Sequence, residues 1–320
     1  MPLPSAFIFT IILPFVLSGC PGNQPGSTDT AVNTESAADS VGVARTPFPY
    51  DLNNPDRKTK LPDELVEVSG LGFMENGQIC MVQDEEATIY IFDVAADSVT
   101  GVYPFGDAGD FEGIEMVEKN IFTLSTDGIL TKVSQFETKI PKLEKFQTFL
   151  TGNYEPEGLT WLPGTNYLLI ACKEEPDVKS PQEAKIRTIY YFDIDKKKMG
   201  EKPFATIDFG DISRAMDAEE TTDQTQKWKA EFDPRKGGSF KPSGIAVHPL
   251  TGEIYITASV GKLLVVLDSA LQVTHARYLS RDIFKQPEGI CFDPAGNMFI
   301  SNEGRDGKGN VLKFDYRAEK

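Results

Sequence analysis

Three glutamates recur at one place in a repeating pattern, each followed by glycine and an aliphatic residue: Glu112-Gly113-Ile114, Glu157-Gly158-Leu159 and Glu288-Gly289-Ile290. Two further copies carry serine there, Ser69-Gly70-Leu71 and Ser243-Gly244-Ile245. A second acidic set follows each motif at similar spacing: Asp84, Glu85, Asp127, Glu174 and Glu303, with Asn302 beside the last. Asp110 and Glu155 add charge. Carboxylates brought together repel unless their pKa values rise or a cation offsets them. Oxygen ligands without clustered histidine favour Ca²⁺ over zinc. Glu112, Glu157 and Glu288 are therefore candidate Ca²⁺ ligands, and Ser69, Asp84, Glu85, Glu174, Ser243 and Glu303 a candidate ligand face. In the structural alternative, the three glutamates bond to backbone N–H groups of the next repeat and fasten the repeats together.

The elements that must position these residues are short strands. Pro287-Glu288-Gly289-Ile290 opens one strand, Pro294-Ala295-Gly296-Asn297 turns, and Met298-Phe299-Ile300-Ser301-Asn302 forms a second. The motif glycines stand at 70, 113, 158, 244 and 289, giving steps of 43, 45, 86 and 45. A period of about 40–50 residues built from short strands marks a β-propeller. Third strands are predicted from Thr88, Ile129, Thr188, Leu263 and Asn310, and fourth strands over 101–105, 145–150, 204–209 and 276–279. The last unit lacks a fourth strand, and Phe48-Pro49-Tyr50-Asp51-Leu52 is expected to supply it and close the ring. The double-length step favours five blades with a helical or mobile insertion near 210–240 over a sixth blade. The expectation is an all-β propeller of four-stranded blades over 46–320. In that geometry the first strands begin at the central channel. The loop between strands two and three opens on the same face, so both acidic sets share one surface.

A net charge of −16 argues against nucleic acid as a partner, since phosphate binding needs clustered Lys and Arg. Cys80, Cys172 and Cys291 lie in apolar strand patterns and read as buried thiols. His248 and His275 fall away from the acidic face, so no nucleophilic triad is supported. Lys173, Lys241 and Lys262 border that face and are expected to balance its carboxylates.

The amino terminus reads as an address. An apolar run over 5–18 is too short to span a bilayer comfortably and ends in Leu17-Ser18-Gly19-Cys20. This resembles the bacterial lipoprotein signal, which implies a signal peptide over 1–19 and a lipid on Cys20. Residues 20–45 are small and polar and read as a disordered tether. Pro21 rather than Asp follows the cysteine, so the expected location is the cell envelope at the outer membrane.

Together Val68-Ser69-Gly70-Leu71, Gln83-Asp84-Glu85, Gly109-Asp110-Phe111-Glu112-Gly113-Ile114, Lys241-Pro242-Ser243-Gly244-Ile245 and Gln286-Pro287-Glu288-Gly289-Ile290 resemble the SdiA-regulated family of bacterial β-propellers. The last blade also looks like an NHL-type repeat. The resemblance implies fold and envelope location, and calcium only by analogy with related propellers. Two functions are expected to compete. One is a lipid-anchored module binding a small-molecule or protein ligand. The other is a Ca²⁺-dependent hydrolase of the phytase, lactonase or esterase kind. The pattern places no obvious catalytic base, which favours binding.

Overall fold

The computed structural model describes residues 47–175, 185–219, 240–305 and 307–318, with the isolated positions 226 and 229. The expected signal peptide and tether, and most of the expected insertion, lie outside the described residues. The first strand, β1 (Arg57–Lys60), belongs to the last blade. Blade one is β2 (Val68–Met74), β3 (Gln78–Gln83), β4 (Thr88–Asp93) and β5 (Ser98–Pro104). Blade two is β6 (Phe111–Val117), β7 (Asn120–Ser125), β8 (Ile129–Ser134) and β9 (Lys142–Gln147). Blade three is β10 (Pro156–Leu162), β11 (Tyr167–Cys172) and β12 (Ile186–Asp193), with an outer edge split into β13 (Lys198–Met199) and β14 (Ala205–Asp208). Blade four is β15 (Lys241–Val247), β16 (Ile254–Val260), β17 (Leu263–Leu267) and β18 (Val273–Tyr278). Blade five is β19 (Pro287–Phe292), β20 (Met298–Asn302), β21 (Asn310–Phe314) and β1.

An N-terminal strand does close the ring, but it is not the expected one. Arg57–Lys60 pairs antiparallel with β21, Arg57 opposite Lys313 and Lys60 opposite Asn310. The expected closing segment, 48–52, forms no strand. Pro49 has no N–H to give a ladder, and the aromatic side chains around it pack inward. Tyr50 and Leu52 are buried among Tyr255, Leu264, Phe292 and Phe314 of blades four and five. The Tyr50 hydroxyl donates to the Gly296 carbonyl at 2.6 Å.

The chain between blades three and four begins as a helix, α1 (Phe209–Asp217), which starts earlier than the expected insertion. Asp208 caps it by accepting from the Gly210 N–H. Phe209, Ile212, Ala215 and Met216 are buried on one face, in a core shared with β14 and β15–β18. Cys80, Cys172 and Cys291 are buried free thiols. His248 is buried among Tyr255, Phe292 and Tyr316, and burial lowers its pKa to about 4. His275 meets Glu219 at 3.0 Å near the outer edge of blade four.

Candidate functional site: an acidic face around the propeller axis

Each innermost strand is irregular at the motif. Register shifts fall at 68–71, 111–113, 156–158, 242–244 and 287–290. Bulges of this kind bend a strand and re-aim a side chain. Here they coincide with Ser69, Glu112, Glu157, Ser243 and Glu288. The glycine that follows is required by crowding. A Cβ on Gly113 would stand 2.6 Å from Leu159 Cβ, and one on Gly289 2.5 Å from the Ser69 carbonyl oxygen. The neighbouring blades' backbones thus meet at the axis. A cavity there, lined by motif glycines and their aliphatic neighbours together with Glu112 and Ser243, is about 10 Å³, room for about one water. The innermost strands therefore pack closely at the axis, and the acidic side chains gather in what we call the basin.

Two of the three glutamates are almost wholly buried, Glu157 at 3% and Glu288 at 6% exposure, and Glu112 is partly buried. Their partners are side chains. Glu157 Oε1 meets Lys173 Nζ at 2.6 Å. Glu112 accepts from the Thr126 hydroxyl at 3.3 Å. The Gln286 side chain, beside both Glu288 and Glu303, lowers the pKa of each. Burial, then the Glu157 charge, pushes the Glu112 carboxyl up to about 9. Burial, then Glu303, pushes Glu288 up to about 8. Burial raises Glu157 to about 7 against the pull of Lys173. Burial alone would depress the Lys173 ammonium, but Glu157, Glu288 and Glu112 together raise it. The centre is therefore a Glu157–Lys173 contact flanked by two carboxyls, Glu112 and Glu288, whose ionisation burial opposes.

Fastening between blades falls on other groups. The Ser243 hydroxyl donates to the Pro287 carbonyl at 2.8 Å, and the Ser301 hydroxyl to the Ser69 carbonyl at 2.9 Å. Glu115 does what was expected of its neighbours. It accepts from the Met116 N–H at 2.8 Å, and from the Trp161 N–H and Thr160 hydroxyl of the next blade at 3.0 Å each. Among the described residues no group of three or more His, Cys, Asp and Glu side chains is gathered as a metal site. The Lys173 ammonium already lies against Glu157.

The members of the second acidic set have separate partners. Glu174 pairs with Lys241 and lies 3.8 Å from Arg187. Asp84 and Glu303 instead crowd Glu67. Burial, then Glu67 and Glu303, pushes Asp84 up to about 6, and its Oδ1 is buried with no hydrogen-bond partner among the described residues. Burial raises Glu303 as well. Glu85 is exposed, and its N–H donates to Gln83. The Asp127 carboxylate accepts from the Ser125 hydroxyl at 2.6 Å. Lys262 donates to the Lys285 carbonyl at 2.6 Å, and burial lowers its pKa to about 8. No role was read from the sequence for Glu67, Gln286 or Glu115, although Glu67 and Gln286 stand two residues before the motif residue, where the other repeats carry Asp110, Glu155 and Lys241.

A five-bladed propeller with a crowded, partly protonated acidic basin on its axis is the class of protein these features define. The chain belongs to the SdiA-regulated family, whose profile matches residues 56–305. No curated protein matches it in sequence. Among solved structures it is similar to the glutaminyl cyclase of Myxococcus xanthus, at 13% identity and a TM-score of 0.52, covering 83% of this chain and 97% of that one. It is also similar to the PQQ-bound aldose sugar dehydrogenase of Streptomyces coelicolor, at 13% identity and a TM-score of 0.49, covering 82% and 97%. Likeness at such identity shows the propeller fold alone.

Proposed function

We propose that this protein is a ligand-binding propeller of the cell envelope, anchored to a membrane through a lipid on Cys20, whose acidic basin takes a cationic ligand. The observation that supports this reading is the set of raised carboxyl pKa values at Glu112, Glu288 and Asp84. A cation entering the basin stabilises the ionised carboxylates and drives protons off. At pH 7 each cation bound should release about one to two protons, because Glu112 and Glu288 start protonated. Affinity should rise from pH 6 to pH 9. Calorimetry of the full chain in buffers of different ionisation enthalpy tests this, with spermidine and Ca²⁺ as probes. Heats that do not depend on the buffer, or affinity that falls with rising pH, would overturn the reading. A spermidine response without a Ca²⁺ response selects organic cations.

A second reading is hydrolysis. It is favoured by pKa values pushed apart within one basin, Glu157 at about 7 as base and Glu112 at about 9 as acid. Turnover of lactones, phosphate esters or aryl esters, best between these two values and lost in Glu157→Gln, would support it. No turnover of any of the three classes rejects it.

A further inference from the structure

Beside the basin, between blades one and two, lies a cavity of about 380 Å³. This is within the usual range for small-molecule sites. Its inner wall is apolar: Ala87, Phe105, Phe111 and Ile129. Phe105 and Phe111 meet edge to face, with ring centroids 5.2 Å apart, so the wall is a fixed aromatic corner. Leu143, 40% exposed, also lines it. The polar lining is mostly of one sign: Asp107, Asp110 and Asp127 against Lys145. The loop carrying the first two acids is sewn to blade one, where the Gly109 N–H donates to Glu85 O at 3.1 Å and the Phe111 N–H to Asp84 O at 3.0 Å. Asp127 is oriented by the Ser125 hydroxyl and by the Ile129 N–H at 3.3 Å. The cavity thus has an apolar wall, one carboxylate, Asp127, held by two hydrogen bonds, and two exposed aspartates on a loop tied to blade one.

We infer that this cavity binds an organic cation, a primary amine carrying an aromatic or branched aliphatic body. The body lies on the Phe105–Phe111 corner and the ammonium donates to Asp110 and Asp127. This rests on the proposed function in placing cation recognition on this face, and adds a separate site with its own ligand class. The test titrates the full chain with phenethylammonium, and with 3-phenylpropionate as a ligand of similar size and opposite charge. Saturable binding of the amine alone is expected. Asp110→Asn should weaken it about tenfold, the loss of one charge-assisted hydrogen bond. Ala108→Trp, at an exposed lining position, should abolish it at an unchanged melting temperature while spermidine still releases protons. Equal binding of the propionate, no saturable binding of the amine, or full binding in Ala108→Trp would each overturn the assignment. Amine binding as expected in a protein with no proton-linked spermidine response would instead refute the axial reading and leave the cavity standing.

Discussion

Replacing Glu288 with glutamine makes the strongest demand on the description of the basin. Glu288 is 6% exposed, and its carboxyl is pushed from an ordinary 4.5 up to about 8 by burial and then by Glu303, with Lys173 and Gln286 pulling the other way. The folded pKa lies above the unfolded one. The group therefore contributes stability that is fully present below about 4.5 and lost as pH rises through about 8. Between those values the folded protein keeps a proton the unfolded chain has released, so stability falls by about 1.4 kcal/mol per pH unit from this residue alone. Glutamine has the shape of the protonated acid and does not titrate. At pH 5 the variant should match the wild type to within about 1 kcal/mol. By pH 8 it should be the more stable protein by about 4 kcal/mol, and above that the difference should level off. Urea unfolding of both proteins at pH 5, 6.5, 8 and 9.5 reads this directly. Parallel profiles, with a constant difference across the range, would mean that Glu288 is ionised in the folded protein and would refute the description of a protonated basin.

Two further outcomes follow from the same structure, and a third from the proposed anchor. Lys173→Met leaves Glu157 buried without its partner and should cost about 3 kcal/mol at pH 8.5. The loss should shrink near pH 5.5, where Glu157 takes up a proton, and thermal melts at both pH values check it. Tyr50→Ala empties a site among Tyr255, Phe292 and Tyr316 and should cost about 3–5 kcal/mol, whereas Tyr50→Phe gives up only the bond to Gly296 and should cost about 1 kcal/mol. Chemical denaturation separates the two, and equal losses would argue against the packing role. Cys20→Ala should move the protein from the membrane fraction to the soluble fraction, and wild-type protein that is itself soluble with no acyl group on its N-terminal peptide would refute the anchor.

The inner half of each blade was legible in the sequence because that is where hydrophobic pattern and backbone constraint agree. β4 spans Thr88–Asp93, as its β-branched and aromatic residues require. The motif glycines marked strand irregularities at the axis, which a strand glycine often signals. The outer half was harder to read. β5 alternates between exposed and half-buried residues along its whole length and begins three residues before the expected 101. The closing strand reads Arg-Lys-Thr-Lys, with no apolar residue. It is an edge strand held by its ladder, and charge on such a strand is a guard against further pairing. The apolar segment 48–52 was the more strand-like stretch because it is the more buried one. Burial and ladder pairing had separated, and composition reports only the first.

The same separation governs the site. Position in the bulge decides that a side chain faces the basin, and residue type then decides what it does there. Around the ring the order is Ser69, Glu112, Glu157, Ser243, Glu288, so two glutamates are neighbours and the third is flanked by serines. Lys173, at the end of β11, meets Glu157 on its own blade, and its ammonium also lowers the pKa values of Glu112 and Glu288. One ammonium serves three acids, and the remaining charge is removed by protonation rather than by pairing. A basin built only for stability would have no reason to hold carboxyl groups so far from their ordinary pKa, because glutamine at the same positions would meet the same neighbours without that penalty. The stored ionisation is useful to a partner that brings positive charge. Asp84 and Glu303 extend the excess toward Asp110 and hence toward the cavity between blades one and two. A cation attracted to the face would meet protonated acids at the axis, so its binding there should depend steeply on pH.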